Sequence, residues 1–482
     1  MEPVKVKRSE HTLSRQNISP EALKVLYGLK DAGYIAYIAG GGVRDLLLGR
    51  EPKDFDVVTN ATPNEIRKVF RNSRLIGRRF RLAHVFFGRD KIIEVATFRA
   101  NQPPDPQENT DFADSSDSSD LSDKPPLREP LPSLTSSLHI RREDGLIVRD
   151  NLFGSPEEDA LRRDFTVNAL FYDIRDYSLI DYVGGLEDLK SRVIRFIGEP
   201  GLRCVEDPVR MVRAVRFAAM LDFTIAPETA QAMREHYATL AMSNRSRLYE
   251  EVQKLFFCKA AQRAYELLRE FGLYEMLFPD LGSWLGPDKG TLQCQRISEA
   301  LKQVDEWRLA GRDVSPALLF ALMFGGMHES RAGEMALQGH HPGLALHSVT
   351  MEHFGGLTER VQVPKTVRYR TAEILASQPR LTADNGRRAA PLATRAFFPE
   401  AVAYLEFMVR LTGENRKALD RALALPWKSR QDRYEHQPAS RGESSPPRRR
   451  GRFGKLFQRR RDDSGANSES RDGLPPVGHS EH

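Results

Sequence analysis

Hydrophobic positions in the first part of the chain form short buried runs between amphipathic stretches, which predicts strands alternating with helices. Apolar residues recur at helical spacing between Ser19 and Gly33, and a proline follows the serine as in a capped helix start. The run 34–39 has the composition of a buried strand that ends in glycines. Region 74–99 shows a strand pattern with a hairpin turn at 88–90. This part is therefore predicted to mix sheet and helices.

Local cap and alternation patterns place further elements in the same region. Thr62 and Glu65 have the spacing of a capping box at a helix start. A second capped helix is predicted to begin after Ser155 and to lead into an alternating strand at 165–171. Asp207 precedes a proline and is predicted to cap the next helix.

The pattern changes in the second half of the chain. Residues from about 260 to 427 form successive amphipathic helices without a defensible repeat. Two other stretches have almost nothing to bury. The acidic, Ser- and Pro-rich segment at about 101–145 is predicted to be a disordered insert, and 428–482 a disordered arginine-rich tail.

Composition sets limits on the number of domains and on the partners. A chain of 482 residues is too long for one ordinary core, so two or more domains are expected. The formal net charge of +6 conceals an acidic segment and a basic tail that partly cancel, and the basic part suggests a polyanionic partner.

The sequence also bears on the compartment. Its three cysteines are widely separated, and this spacing fits neither a disulfide framework nor a metal site. The first residues lack the apolar run of a signal peptide, and no stretch reaches the roughly 20 apolar residues of a membrane span. We expect a cytoplasmic protein with no membrane partner.

Candidate chemistry lies in two neighbouring segments. Gly40, Gly41 and Gly42 end a strand and open a helix, which allows backbone N–H groups to approach an anion closely. A tight turn is the simpler alternative, since the pattern is neither a P-loop nor a dinucleotide fingerprint. Asp54 and Asp56 project from one face of the following buried strand, where two carboxylates are costly without cations. Together these segments predict a phosphate cradle beside a metal site, as in nucleotidyl transfer.

Glu94 is an acid inside an apolar strand. It is a candidate third metal ligand, and an ion pair with Arg79 or Arg81 is the alternative of equal weight. Either arrangement would satisfy a carboxylate that lies among apolar neighbours.

Three later charged clusters allow a structural or a functional interpretation. The segment 162–164 contains two arginines and an acid, which form either a solvated cluster or part of a site. The arginines at 210, 213 and 216 form either an exposed helical stripe or a ligand contact. Glu250 and Lys254 have the spacing of an ordinary helical ion pair.

The C-terminal tail combines cations with aromatic residues. Phe453 and Phe457 lie within the arginine-rich run, which favours a flexible RNA-binding arm over a purely solubilising tail. The predicted RNA-binding residues are Arg448, Arg449, Arg450, Arg452, Lys455, Arg459, Arg460 and Arg461.

Taken together, these motifs resemble one known family. The order and spacing of five motifs are similar to those of the class II tRNA nucleotidyltransferase and bacterial poly(A) polymerase family, densely over residues 12–275. The motifs are Gly40-Gly41-x-x-Arg44-Asp45, Asp54-x-Asp56, Arg162-Arg163-Asp164, Glu206-Asp207-x-x-Arg210 and the Glu250/Lys254 segment. Segments 11–15, 75–85 and 150–155 resemble the bacterial poly(A) polymerase branch.

The resemblance implies roles for individual residues. The catalytic carboxylates would be Asp54, Asp56 and Asp164, of which Asp54 and Asp56 would hold two Mg²⁺ ions, with Mn²⁺ as an alternative. The implied nucleotide-binding residues are Gly40, Gly41, Arg44, Asp45, Arg162, Arg163, Asp207, Arg210 and Arg213. Among these, Asp207 and Arg210 would read the base edge.

The implied activity is transfer of AMP from ATP to RNA 3′ ends without a template, on mRNA, small RNA or tRNA. CCA or A addition to tRNA is the alternative within the family, and a catalytically silent RNA-binding protein is the alternative from another class. Protein partners are not specified by the sequence.

The implied fold is α+β. A polymerase-beta-like nucleotidyltransferase palm, with a mixed sheet and helices, precedes a mostly helical RNA-binding region. The predicted parts are a flexible N-terminus at 1–17, a catalytic domain at 18–175, a helical neck at 176–275, a helical body at 276–427 and the tail at 428–482.

Overall fold

The computed structural model describes residues 2–77, 81–88, 91–100, 140–141, 147–149, 153–288, 290–383 and 388–427. Its strands are β1 Val4–Val6, β2 Ala36–Ala39, β3 Asp56–Thr59, β4 Ser73–Ile76, β5 Leu82–Phe87, β6 Lys91–Thr97, β7 Ile140–Arg141, β8 Ile147–Arg149, β9 Leu170–Asp173, β10 Leu179–Asp181, β11 Val193–Ile194 and β12 Thr224–Ile225. Most of the strands lie in the first half of the chain, as the hydrophobic pattern predicts.

Eight of these strands form one mixed sheet in the order β1, β10, β9, β2, β3, β6, β5, β4. Strands β3 and β6 run parallel, and the other neighbours are antiparallel. Central strand β2 is buried along its whole length because both faces of the sheet are covered there. The predicted palm with a mixed sheet is confirmed.

Helices surround this sheet and make up most of the second half of the described chain. The helices before residue 260 are α1 Pro20–Asp31, α2 Gly41–Leu47, α3 Pro63–Val69, α4 Pro156–Leu161, α5 Gly185–Ser191, α6 Pro200–Glu206, α7 Val209–Leu221, α8 Pro227–His236 and α9 Arg245–Phe256. Those after it are α10 Ala261–Glu270, α11 Leu273–Leu277, α12 Pro279–Leu285, α13 Leu292–Leu309, α14 Pro316–Leu337, α15 Pro342–Leu357, α16 Lys365–Ala376, α17 Gln378–Leu381, α18 Phe398–Thr412 and α19 Arg416–Leu423. The predicted helical region is confirmed.

The predicted caps form where local chemistry determines them. The Ser19 hydroxyl accepts a hydrogen bond from the Ala22 N–H at 3.1 Å, and proline occupies the first turn of α1. Thr62 and Glu65 form the predicted capping box of α3, and Ser155 begins a third capped helix, α4. These short-range bonds fix where α1, α3 and α4 begin, because they satisfy N–H groups that have no partner within the helix.

Three local predictions are wrong. Thr166–Asn168 is a 3₁₀ turn, and the strand begins only at Leu170. The alternation at 165–171 misleads because Phe165 and Val167 pack into one core cluster and Phe171 into the other. All of these positions are buried, so apolar spacing there does not report strand periodicity.

The second error concerns the N-terminus, where residues 4–6 of the segment predicted to be flexible form the edge strand β1 beside β10. The third concerns Asp207, which ends α6, while Pro208 is the N-cap residue of α7. Its carboxylate contacts a distant arginine instead of the local backbone, as the next section describes. Both errors arise because long-range pairing outweighed a local signal.

The remaining sequence predictions lie partly outside the described part of the chain. The predicted insert at 101–145 contributes only β7 to it, and the tail at 428–482 lies outside it entirely. Among the helices that are described, none is long and apolar enough to cross a bilayer. The other predicted domain boundaries stay predictions.

Candidate active site

The glycine turn and the two aspartates predicted to act together lie on adjacent antiparallel strands. Strands β2 and β3 pair so that Ala39 lies opposite Asp56. Gly40 follows with φ 76° and ψ −138°, a conformation that residues with a side chain rarely adopt. A Cβ atom at Gly40 would lie 3.1 Å from Arg163 Nη1 and 3.9 Å from Asp56 Oδ2. Glycine is therefore needed here for both the backbone conformation and the close approach.

Asp56 lies at the start of β3 among other negative charges. Asp54 lies two residues before β3, and both carboxylates are exposed, so the prediction that they project from a buried strand is wrong. Glu94 on β6 pairs with Asp56 in the parallel register. Desolvation by the surrounding protein raises the pKa of Asp56, and the charges of Glu94 and Asp54 add to the increase, while Arg163 opposes it. The crowding of carboxylates identifies this end of the sheet as a place where a cation would be stabilised.

Glu94 lies between Asp56 and a histidine across the sheet. In the antiparallel register of β5 and β6 it pairs with His84, and Glu94 Oε1 lies 3.4 Å from His84 Nε2. Of the two predicted partners, Arg79 lies outside the described residues, and Arg81, exposed just before β5, forms no ion pair with Glu94. The structure therefore identifies His84, which the sequence interpretation missed, as the neighbour of Glu94.

The residues present fit a hard divalent ion. Asp54 and Asp56 offer carboxylate oxygens at an open edge, which suits Mg²⁺ because that ion keeps several water or phosphate ligands. Within the described ranges, no group of three or more His, Cys, Asp or Glu side chains could enclose a metal by itself. Substrate phosphates and water would have to complete the coordination.

Arg44, predicted to contact phosphate, is buried under the glycine turn. Its Nε donates to Asp45 Oδ1 at 2.8 Å and its Nη1 to Asn168 Oδ1 at 2.6 Å. Its guanidinium lies 5.2 Å from the ring centroid of Phe217, and burial lowers the pKa of Arg44. The side chain of Arg44 thus connects α2 to Asn168. Asn168 is a further member of the site that the sequence interpretation missed.

Arg163 connects the glycine turn to α4. Its Nε and Nη2 donate to Asp159 Oδ2 at 3.1 and 2.9 Å, and its Nη1 donates to the Asn168 carbonyl at 3.1 Å. Arg162 lies farther from the same acid, with Nη1 3.9 Å from Asp159 Oδ1. The i,i+4 spacing of Asp159 and Arg163 was a signal that could have identified this pair.

Asp164 lies in a cluster of arginines on α7. Arg210 Nε donates to Asp164 Oδ1 at 2.8 Å, and Arg213 Nη1 lies 2.8 Å from Asp164 Oδ2. Burial alone would raise the pKa of Asp164, but Arg213 and Arg210 outweigh it and lower the pKa. Both carboxylate oxygens are therefore engaged by residues that were predicted to bind the nucleotide.

The same cluster continues along α6. Arg210 Nη1 donates to Glu206 Oε2 at 2.6 Å, and Arg203 Nη1 lies 3.0 Å from that oxygen. Although burial opposes it, the negative charges of Asp164 and Glu206 raise the pKa of Arg210. The hypothesis of an exposed arginine stripe is wrong, because Arg210 is only 6% exposed.

Asp207 pairs with an arginine forty residues away. Arg247 Nη1 and Nη2, on the first turn of α9, donate to Asp207 Oδ1 and Oδ2 at 2.8 and 2.5 Å. This two-bond geometry fixes the plane of the carboxylate. Nothing in the local sequence indicated this partner.

A second ion pair holds α9 against α7. Arg216 Nε donates to buried Glu251 Oε1 at 2.5 Å, and Lys254 lies 4.0 Å from the other oxygen of Glu251. The ion pair of Lys254 is thus with Glu251, whereas the sequence pattern indicated Glu250. The elements that carry Asp207, Arg210 and Arg247 are consequently tied together.

Comparisons with known proteins find similar sequences over most of the chain. Three family models match: "Poly A polymerase head domain" at 36–195, "Probable RNA and SrmB- binding site of polymerase A" at 222–285 and "Polymerase A arginine-rich C-terminus" at 338–464. Poly(A) polymerase I of Salmonella typhimurium is 41% identical over 461 residues, 92% of each chain.

More distant similarity extends to a related group of enzymes. The CCA-adding enzyme of Bacillus licheniformis is 35% identical over 257 residues, 53% of this chain and 55% of the relative. The crystal structure of the Bacillus stearothermophilus CCA-adding enzyme with CTP is 27% identical, covers 84% of this chain and 83% of that chain, and has a TM-score of 0.55.

We predict that Gly40→Ala destabilises the fold by about 1–3 kcal/mol, because it combines an unfavourable backbone conformation with a contact on Arg163. Gly49→Ala is the matched control, since Gly49 has φ 68° but open space around it, and it should cost only about 1 kcal/mol. Urea unfolding measures both. Equal losses in the two variants would show that the contact with Arg163 has no energetic effect.

We predict that Asp164→Asn lowers the free energy of unfolding by about 3–5 kcal/mol near neutral pH, because it leaves buried guanidinium groups without their anion. The folded-state pKa of Asp164 lies below the ordinary value of 3.8, so its stabilisation is present above that pH and disappears as the pH falls.

Urea unfolding across this pH range provides the measurement. The difference between Asp164→Asn and the parent should shrink in acid. The exposed control Asp222→Asn should change little at any pH. A pH-independent difference for Asp164→Asn would contradict the assignment.

Proposed function

The chain belongs to the poly(A) polymerase branch of the class II nucleotidyltransferase family, and we propose that it transfers AMP from ATP to RNA 3′ ends. The reaction needs no template and releases pyrophosphate. The principal support is the 41% identity to a poly(A) polymerase I over 92% of both chains. The adjacent glycine turn and Asp54–Asp56 pair supply the matching local chemistry.

Asp54 and Asp56 are the proposed ligands of divalent cations, Mg²⁺ or alternatively Mn²⁺. Such ions, when bound, lower the pKa of an attacking hydroxyl and neutralise triphosphate charge. The support is the concentration of negative charge at Asp56, to which Glu94 contributes. Glu94, predicted as a possible third ligand, does not form a group of three with Asp54 and Asp56 in the described part of the chain; it contributes its charge and contacts His84.

The glycine turn is the proposed triphosphate contact. The Gly40 N–H donates to the Leu170 carbonyl at 3.2 Å, so the N–H group proposed to approach a phosphate oxygen is that of Gly41, the first residue of α2. Arg44 stabilises the turn from beneath, through Asp45 and Asn168. Arg163 lies between the turn and Asp56, so its charge acts on both the phosphate and the metal-binding side.

Asp207 and Arg210 are the proposed readers of the base. A carboxylate accepts from the N6 amino group of adenine, and a guanidinium donates to N1. Cytosine offers the same order of donor and acceptor on a smaller ring, so hydrogen-bond type alone does not separate the two bases. Fixed positions of Asp207 and Arg210 can separate adenine from cytosine, because the smaller base does not reach both side chains. Asp164, Glu206 and Arg247 fix those positions.

RNA is the proposed second substrate, and the cytoplasm the proposed compartment. Support for RNA comes from the matched RNA-binding segment at 222–285 and the basic tail. The tail cations Arg448 to Arg461 lie outside the described residues and remain predicted contacts. The three free cysteines fit a reducing compartment where ATP and RNA meet.

One assay tests the proposed function. The protein is incubated with each NTP singly and with all four together, on an unstructured RNA and on a tRNA that ends before CCA. We expect long A tails from ATP alone. A product that stops after C-C-A would instead support tRNA nucleotidyltransferase activity, and no product would support a silent RNA-binding protein.

In that assay Asp56→Asn should reduce incorporation by more than the ~10- to 100-fold typical of losing an outer-shell partner, because it removes a proposed metal ligand. Asp222→Asn makes the same chemical change at an exposed site and should keep full activity. Circular dichroism checks that both variants fold. Wild-type activity of folded Asp56→Asn would rule out the metal assignment.

We further predict that Arg247→Ala weakens discrimination between ATP and CTP, because Asp207 loses the group that orients it. The ratio of kcat/KM for ATP to that for CTP should fall by ~10- to 100-fold, the range expected from a small misplacement. Arg263→Ala, at an exposed ion pair on α10, is the control. An unchanged ratio in Arg247→Ala would show that the pair does not control base choice.

A further inference from the structure

Helix α16 presents an exposed aromatic ring next to a cation. Tyr369 is 43% exposed, and Lys365, one helical turn before it, places Nζ 5.7 Å from the ring centroid. The two residues therefore share one face of the helix. A solvent-facing ring with an adjacent positive charge can stack a base and attract the phosphate attached to it.

Two further cations lie near this pair in the sequence, Arg368 on α16 and Arg360 five residues before the helix, and both are partly exposed. Arg360 uses Nη1 to donate to the Ala241 carbonyl at 3.2 Å. By contrast, Arg370 on another face of α16 donates to Glu400 at 2.6 Å. The charge of Arg370 is thus balanced by a carboxylate, whereas Lys365 and Arg368 have no ion pair among the residues that the structure describes.

The segment before α16 contacts the same turn of α9 that holds Asp207. The Gln362 N–H, three residues before α16, donates to the Arg245 carbonyl at 3.1 Å, and Arg245 Nη1 lies 2.8 Å from Glu359 Oε2. Arg245 opens α9, and Arg247 two residues later holds Asp207. The first turn of α9 therefore separates the proposed nucleotide pocket from the start of α16.

We propose that Arg360, Lys365, Arg368 and Tyr369 bind the single-stranded 3′ segment of the RNA as it approaches the pocket. This rests on the proposed function. The ring offers its face only to an unpaired base, which excludes duplex RNA as the preferred ligand. A protein partner would require a larger apolar centre than one tyrosine among cations. Exposed Glu373, one turn past Tyr369, ends the basic surface.

The charge contribution is tested by fluorescence anisotropy with an oligo(A) of about ten nucleotides, between about 50 and 200 mM salt. The double variant Lys365→Ala/Arg368→Ala should bind more weakly and reduce the salt slope by about 1.4, or 0.7 for each phosphate contact. The control Arg416→Ala/Lys417→Ala removes the same charge from exposed positions on α19. Equal effects of the two variants, or none in the first, would overturn the proposal.

The ring is tested separately. Tyr369→Ala should weaken oligo(A) affinity by about 5- to 150-fold with little change in the salt slope, while Tyr369→Phe should retain wild-type affinity. Thermal unfolding confirms that each variant folds, and equilibrium binding of ATP should be unaltered. Equal affinity of the Ala and Phe variants would overturn the stacking role.

Activity and RNA affinity together distinguish an error in the proposed function from an error in the proposed RNA surface. If the wild-type protein adds no AMP while these variants still lose RNA affinity, the proposed function fails and the RNA surface stands. If the wild-type protein adds AMP but the variants bind RNA as it does, the surface fails and the function stands.

Discussion

The two oxygens of one carboxylate, Asp164, join the palm to the helical neck. Arg210 and Arg213, both from α7, contact them at 2.8 Å. A buried carboxylate is costly unless its charge is balanced, and removing either side leaves an uncompensated charge. The position of α7 relative to the segment after α4 is therefore fixed, and with it the position of Arg210, which is proposed to read the base.

A different electrostatic condition holds at the other end of the site. Both oxygens of Asp164 have arginine partners, whereas at Asp56 desolvation raises the pKa and the neighbouring carboxylates Glu94 and Asp54 add to the rise. Compensated charge gives a rigid frame, and uncompensated negative charge gives affinity for a cation. The fold thus separates the proposed base-selecting end, closed by internal ion pairs, from the proposed metal-binding end, whose negative charge a substrate complex would balance.

The sequence predicted those features that depend on short-range chemistry. The caps at Ser19, Thr62 and Ser155 form as expected because donor and acceptor lie within three residues. The glycine turn and Asp56 also lie side by side as predicted, since consecutive strands, here β2 and β3 joined through α2, are usually neighbours in a sheet.

Long-range pairings account for what the sequence could not predict. The strand prediction at 165–171 failed because this segment is buried on both sides, so its periodicity carried no information. The contact of Asp207 with Arg247 spans forty residues, and that of Glu94 with His84 depends on strand register. Such contacts are set by the packing of whole elements and leave no local signal.

Helix α9 then explains how the two substrates can be handled together. Its first turn directs Arg247 to Asp207 and Arg245 to Glu359, and residues two apart point to nearly opposite sides of a helix. Buried Leu248 and the Arg216–Glu251 pair keep this turn in place. A displacement of Glu359, which precedes the surface proposed to bind RNA, would be transmitted through this turn to the carboxylate of Asp207, which is proposed to read the base. The surface proposed to bind RNA and the residues proposed to read the base are therefore both connected to one rigid element, the first turn of α9.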